Sequence, residues 1–201
     1  MTTETQISKL VCTRISHDIV GNIGAVANAV ELLEEGDMDF MDDIKSILKT
    51  SSKVLSSRVK FFRLAFGLEN TNLNDWDIIK KTTEDYLETI GNKNHPISFE
   101  IKEMDIKWGR IILLSTFALS DIIIKGGWIK AEVAGGKLYV GAQSNLPPAA
   151  EKTDTIKEIV AGKNEEAGAQ YAPLYYLKKV IEENGYSLSF FHDDLFGFII
   201  G

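Results

Sequence analysis

The chain has 201 residues, of which 44% are hydrophobic and 25% are charged, a balance that is typical of a folded protein and excludes a disordered one. Its formal net charge of -7 argues against nucleic acid as a partner, because phosphate contacts need a basic surface. The single cysteine, Cys12, cannot form an internal disulfide, the N-terminus lacks the pattern of a signal peptide, and no segment is apolar enough to span a membrane. These features predict a cytoplasmic protein without a membrane partner.

Two long helices are predicted in the first third of the chain. The first runs from about residues 3–8 to residue 35, and the second spans residues 39–66, with Gly67 placed to end it. A short polar connection over residues 34–38 makes the two helices antiparallel neighbours. The apolar residues of the first helix recur at alternating spacings of three and four, which predicts one buried stripe: Cys12, Ile15, Ile19, Ile23, Val26, Val30 and Leu33.

A lone hairpin of this length leaves apolar surface uncovered on both helices. Pairing with a second copy as a four-helix bundle would cover that surface. We therefore predict a homodimer.

The rest of the chain has the pattern of an α+β sandwich. Helices are predicted over residues 75–90, 108–124, 153–160 and 170–184, and strands over residues 97–101, 128–133, 137–142, 186–191 and 195–200. This order favours helices on one face of a mainly antiparallel sheet. The asparagine-rich stretch before residue 75 lacks periodicity. We accordingly divide the chain into a helical hairpin (residues 1–68), a linker (69–74) and a sandwich domain (75–201).

His17 is the candidate reactive residue. It stands two positions from both Ile15 and Ile19, which at about 100° per residue turns it roughly 200° away from the apolar stripe and toward solvent. An accessible imidazole can attack phosphorus and carry a phosphoryl group if a neighbour fixes its tautomer. Asp18 is the neighbour that the sequence supplies.

Four further residues, Arg14, Gly21, Gly24 and Asn28, lie on the same predicted face as His17. Glycine costs a helix interior about 1 kcal/mol relative to alanine, so Gly21 and Gly24 need a reason other than helix stability. Clearance for a docking protein is one such reason, and Arg14 would help to neutralise a phosphoryl group. We predict that these four residues dock a partner.

The same residues have a simpler interpretation. A single exposed histidine followed by an aspartate is often an ordinary solvated pair, and the residues alone leave this alternative open. No second histidine or carboxylate stands four residues after His17, so no metal site is expected there.

Three segments resemble one family. Residues 14–20 (RISHDIV), followed by Gly24, Ala25, Asn28 and residues 31–33, resemble the phosphoacceptor helix of the ChpT-type histidine phosphotransferases, which itself resembles the dimerisation and phosphoacceptor helix of sensor histidine kinases. Residues 58–67 (RVKFFRLAFG) are similar to that family's second-helix signature, and residues 170–171 ahead of 174–185 are similar to its last helix.

This resemblance implies a dimeric helical hairpin, forming a four-helix bundle, followed by a degenerate histidine-kinase-ATPase-like α/β sandwich. It also implies that His17 is the phosphoacceptor and that Asp18 is its acidic neighbour. Kinase ATP-binding domains use an asparagine-rich helix for magnesium and an Asp-x-Gly-x-Gly turn for adenine. Here residues 110–124 contain no asparagine and residues 143–147 contain no Asp-x-Gly, so we expect no bound cofactor.

Without ATP, the phosphoryl group has to come from another protein. We therefore predict a histidine phosphotransferase of a two-component phosphorelay, with response-regulator receiver domains and a hybrid histidine kinase as partners. The receiver domains would bring their own Mg²⁺. Two alternatives stay open: a module that binds receiver domains without chemistry, and an ATP-dependent histidine kinase relative.

Overall fold

The computed structural model describes residues 3–36, 40–67, 73–102, 104–164, 166 and 168–201. Within these residues the chain forms helices α1 (Glu4–Glu34), α2 (Met41–Phe66), α3 (Trp76–Ile90), α4 (Gly109–Ser120), α5 (Ala150–Val160) and α6 (Ala172–Glu183), and strands β1 (Ile97–Ile101), β2 (Gly127–Ala134), β3 (Lys137–Ser144), β4 (Leu188–His192) and β5 (Phe196–Ile200). The predicted α+β class is confirmed. None of the described helices is both long and apolar enough to cross a bilayer.

The helical hairpin begins and ends at the residues that the sequence indicates. Thr3 and Gln6 form a capping box at the start of α1, in which the Thr3 hydroxyl accepts from the Gln6 N–H at 3.2 Å and the Gln6 side chain accepts from the Thr3 N–H at 2.8 Å. Gly67 ends α2 at φ +65°, in the left-handed region that favours glycine. Residues 37–38 of the predicted connection, residue 39 at the predicted start of the second helix, residue 68 at the predicted end of the hairpin and residues 69–72 of the predicted linker lie outside the described residues, so the domain boundaries stay predictions.

The prediction of one buried stripe on α1 is only partly correct. Ile15 and Ile19 pack against the core, but Ile23 is 51% exposed, Val30 is 43% exposed, and Cys12 is exposed rather than a core residue. The side chains of α1 that belong to the central core or pack against it are all in the first half of the helix, which also lies against α6: Ile7, Leu10, Val11, Ile15 and Ile19.

The sheet has the strand order β1-β2-β3-β5-β4, in which β1 and β2 are parallel and all other pairs are antiparallel. Alternate residues of the three central strands are buried beneath the helices: Ile129, Ala131, Leu138, Val140, Ala142, Phe196, Phe198 and Ile200. The mainly antiparallel sheet with helices against it is thus confirmed.

An aromatic cluster joins the hairpin to the sandwich. Phe61 and Phe62 of α2, Tyr86 of α3 and Phe117 of α4 are at most 2% exposed, and the rings of Phe61 and Tyr86 stack with centroids 3.9 Å apart. The hydrophobic core therefore runs continuously from α2 to the sheet. Ile15 and Ile19, on either side of His17 in the sequence, pack against it.

Candidate functional site

His17 projects into solvent from the middle of α1. Its side chain is 84% exposed, which confirms the exposure that the periodicity predicts. Nδ1 lies 3.5 Å from Asp18 Oδ1, a long contact for a hydrogen bond. Because Nδ1 faces Asp18, Nε2 on the opposite edge of the ring is the nitrogen available to a reaction partner.

Asp18 is sheltered, and it is held by Arg14. The Asp18 side chain is 10% exposed, and its Oδ2 accepts a hydrogen bond from Arg14 Nε at 2.9 Å. The two terminal nitrogens of Arg14 reach Asp121 at the end of α4: Nη2 donates to Oδ1 and Nη1 lies next to Oδ2, both at 2.8 Å. Arg14 thus joins a carboxylate on α1 to a carboxylate on α4, with its Cζ 5.2 Å from the centroid of the Phe117 ring.

The electrostatics of this group combine burial with close opposite charges. Burial lowers the pKa of Arg14, but the carboxylates of Asp121 and Asp18 more than offset that effect and the pKa is raised. Burial raises the pKa of Asp121, although Arg14 opposes the shift. The raised pKa of Arg14 favours the charged pair, whereas the raised pKa of Asp121 favours its neutral form. The hydrogen bond from Arg14 Nη2 to Asp121 Oδ1 and the approach of Nη1 to Oδ2, both at 2.8 Å, agree with the charged form that the raised pKa of Arg14 indicates.

A second arginine fastens α1 at the same level. Arg58 of α2 donates through Nη1 to the backbone carbonyl of Asp18, and it donates through Nε to Thr89 Oγ1 at 3.2 Å and through Nη2 to the Thr89 carbonyl at 3.3 Å. Arg58 therefore ties the backbone beside His17 to the end of α3. The sequence marks Arg58 only as part of the resemblance of residues 58–67.

The other predicted docking residues lie on open surface. Gly21, Gly24 and Asn28 are exposed, and a Cβ added at either glycine would meet no atom within 4 Å. No contact among the described residues therefore requires glycine at these positions. Arg14 differs: it is only 11% exposed, so the interpretation of Arg14 as a charge on an exposed helix face is wrong.

Asp121 is the residue of this group that the sequence does not single out. Its one local signal is an acidic residue at the C-terminal end of an apolar helix, where the helix dipole disfavours negative charge. Among the residues that the structure describes, no group of three or more His, Cys, Asp or Glu side chains is arranged to hold a metal ion.

Comparisons with known proteins give a match in sequence and a match in fold. No protein-family model matches the chain. The protein phosphotransferase ChpT of Brucella abortus (strain 2308) is 44% identical over 61 residues, which cover 30% of this chain and 28% of that relative's length. A solved structure of a bacterial phosphotransferase matches with a TM-score of 0.76, covering 100% of this chain and 98% of the other, at 22% identity, so this second match concerns the fold alone. The resemblance to the ChpT-type histidine phosphotransferases is thus confirmed by sequence over 61 residues, and the match in fold extends over the whole chain.

Proposed function

We propose that this chain is a histidine phosphotransferase of a two-component phosphorelay. His17 accepts a phosphoryl group from the aspartyl phosphate of one receiver domain and passes it to the aspartate of another response regulator, without ATP. The observation that carries this proposal is the imidazole of His17, 84% exposed beside a sheltered carboxylate, in a chain similar to a protein phosphotransferase. A hybrid histidine kinase would supply the first phosphoryl group, and the cytoplasm is the proposed compartment.

The chemistry needs only a positioned nucleophile on this chain. The lone pair of His17 Nε2 attacks phosphorus, the N–P bond forms, and the P–O bond to the receiver's aspartate breaks, with its electron pair returning to that carboxylate. The ring keeps its Nδ1 proton and gains positive charge, which Asp18 stabilises from 3.5 Å. The reverse sequence delivers the phosphoryl group to the second receiver domain, whose own Mg²⁺ neutralises the phosphoryl oxygens.

The surface next to His17 favours close approach by a receiver domain. Gly21 and Gly24 leave open space on α1 beside the imidazole, and Asn28 offers a polar side chain farther along the helix. These residues support the proposed docking surface. For Arg14 the contacts to Asp18 and Asp121 support a role in positioning rather than in docking.

The hairpin carries the surface that a second copy would cover. A groove of about 720 Å³ lies between α1 and α2 and is lined by Val26, Leu48, Leu55 and Val59 among others. Several large apolar side chains of the hairpin are exposed: Ile23, Val30, Leu33, Phe40, Ile47 and Val59. Their number supports the proposal of a homodimeric four-helix bundle.

The sandwich domain is proposed to be a degenerate relative of the kinase ATP-binding domain. Residues 111–120 of α4 are all buried, and they lack the asparagines that would hold magnesium. The residues that follow β3 lack the Asp-x-Gly turn for adenine. Both features support a domain without nucleotide, although it retains the helices and the sheet.

Transfer of labelled phosphate from a receiver domain tests the proposed function. The chain is mixed with a receiver domain that its kinase has phosphorylated with ³²P, and we expect acid-labile label on the wild type and none on His17→Ala. His192→Ala is the matched control, because His192 is also an exposed histidine but lies on β4. Label that persists on His17→Ala would contradict the proposal.

Binding, labelling and calorimetric measurements distinguish the two alternatives from the proposed function. A module that only binds receiver domains would retain affinity in both the wild type and His17→Ala and take no label. An ATP-dependent kinase relative would bind ATP in calorimetry and label itself without a receiver domain.

A further inference from the structure

We propose that Asp121 is a positioning residue for His17, acting through Arg14 and Asp18, and that the sandwich domain in this way orients the phosphoacceptor. This inference rests on the proposed phosphotransfer at His17 and deepens it. It assigns a role to an aspartate at the end of α4, in the domain that lacks the features for nucleotide binding.

A continuous series of polar contacts runs from the imidazole to α4: His17 Nδ1 to Asp18 Oδ1 at 3.5 Å, Asp18 Oδ2 to Arg14 Nε at 2.9 Å, and the two contacts of Arg14 with Asp121 at 2.8 Å. The exposed fraction of the side chains is 84% for His17, 10% for Asp18, 11% for Arg14 and 25% for Asp121. His17, at the reactive end, is by far the most exposed member of the series.

Asp121 affects which donors of Arg14 reach Asp18. The Arg14 guanidinium has donors on three nitrogens. Nη2 donates to Asp121 Oδ1 and Nη1 lies 2.8 Å from Asp121 Oδ2, so that Asp18 receives Nε alone and the other oxygen of Asp18 stays beside His17. Without the Asp121 carboxylate, the terminal nitrogens of Arg14 would compete for both oxygens of Asp18. Asp121 therefore keeps one carboxylate oxygen of Asp18 turned toward Nδ1.

Asp121 also contributes negative charge close to the imidazole. Three cations, Arg14, Arg58 and Lys152, contact Asp18 or Asp121, so these two carboxylates are the groups that offset positive charge near His17. Loss of the Asp121 carboxylate would leave Asp18 alone to offset three positive charges. The ring becomes positive when Nε2 is phosphorylated, so the extra negative charge favours the phosphorylated state and the Nδ1–H tautomer from which it forms.

Asp121 lies at an unfavourable position for a carboxylate. It caps the C-terminal end of α4, where the helix dipole disfavours negative charge. Lys152 of α5 donates to the Asp121 carbonyl at 3.0 Å, and Arg14 of α1 meets the side chain. The local preference of the helix is thus overridden by groups from two other helices, one of which carries His17. Local rules that are broken in this way are typical of functional positions.

The test compares Asp121→Asn with Asp85→Asn in the full chain. Asp85 makes the same kind of pair, with Lys81 at 2.8 Å, but on α3. For Asp121→Asn we expect the saturating rate of phosphoryl transfer to fall roughly tenfold or more, with an unchanged receiver concentration at half-maximal rate. Asp121→Glu, which restores the carboxylate, should recover part of the rate, and Asp85→Asn should match the wild type.

A spectroscopic measurement on the protein alone separates positioning from folding and from the transfer assay. In ¹⁵N NMR spectra the His17 ring of the wild type should show the Nδ1–H tautomer, and Asp121→Asn should show a mixture of tautomers. Should Asp121→Asn fail to fold, Arg14→Lys allows the same comparison, because lysine keeps the charge but cannot bridge two carboxylates.

The proposal is overturned if Asp121→Asn and Asp85→Asn have the same saturating rate of phosphoryl transfer and the same His17 tautomer. It is equally overturned if only the half-saturating receiver concentration rises, since Asp121 would then act in docking. If the wild type accepts no phosphoryl group, the proposed function fails, and the tautomer comparison still decides whether Asp121 positions His17.

Discussion

At the scale of single residues, Tyr86 shows how closely the polar site lies on the hydrophobic core. Its side chain is fully buried and stacks on Phe61 at the junction of α2, α3 and α4. Burial raises the pKa of Tyr86 well above its usual value, and the negative charge of Asp121 adds to the shift. Folded Tyr86 therefore stays protonated at pH values where the unfolded chain would lose that proton.

Alkaline unfolding tests this property of Tyr86. An acid whose pKa is raised by folding contributes stability that is fully present below its unfolded pKa and is lost as the pH rises above it. Between pH 8 and pH 11, Tyr86 should therefore lower the free energy of unfolding by about 1.4 kcal/mol, given an unfolded pKa of about 10. Urea unfolding at both pH values should show a smaller loss for Tyr86→Phe. An equal loss in the two proteins would contradict the prediction.

At the scale of secondary structure, α1 combines two glycines with an exposed face that has no contacts to justify them. The helix is continuous over Glu4–Glu34 although Gly21 and Gly24 are poor helix formers. A methyl group at either position would meet no atom within 4 Å. Stability of the chain alone would therefore favour alanine, which supports a docking role for these positions.

Gly21→Ala should raise stability and weaken function together. The free energy of unfolding should increase by roughly 0.5–1 kcal/mol, because alanine loses less backbone entropy than glycine in a helix. The added methyl group should weaken receiver binding, measured by calorimetry, since it occupies the clearance beside His17. Ser46→Ala is the control: Ser46 is exposed at the far end of α2 from Arg58, and this variant should leave receiver binding unchanged. Unaltered binding by Gly21→Ala would argue against docking at this surface.

At the scale of the whole molecule, the two parts of the chain differ in how completely they are covered. The sandwich buries its sheet beneath the helices, whereas the hairpin leaves a row of apolar side chains and a groove exposed. A surface of this kind is typical of an interface between protein chains.

Val59→Glu should therefore dissociate the proposed dimer. Val59 is 43% exposed and lines the groove, and a charge placed in an apolar interface should raise the dimer Kd at least tenfold, or about 1.4 kcal/mol. Val133→Glu is the matched control, because Val133 is 42% exposed but lies at the end of β2. Sedimentation should give a dimer for the wild type and the control and a monomer for Val59→Glu at low micromolar concentration. Identical sedimentation of the two variants would count against a dimer through this face.

Most of the local structure could be predicted from the sequence, because it depends on patterns within a few residues. Helical periodicity identifies the hairpin and places His17 on its exposed side. Glycine at φ +65° ends α2, and Gly135 and Gly136, both at positive φ, join β2 to β3. Periodicity shows which side of a helix is apolar but not what covers it. For that reason Cys12 and Ile23 are exposed in the single chain against expectation.

The sequence by itself thus determined the elements, the exposed histidine and its acidic neighbour, and it suggested the family through short motifs. Only the tertiary structure decided how that histidine is held. Arg14 and Asp121 are 107 positions apart, and no local pattern indicates that they meet. They meet because α4 packs beneath the hairpin and its C-terminal end lies under α1. Folding thereby places a residue of the sandwich domain two contacts away from Asp18 and three contacts away from His17.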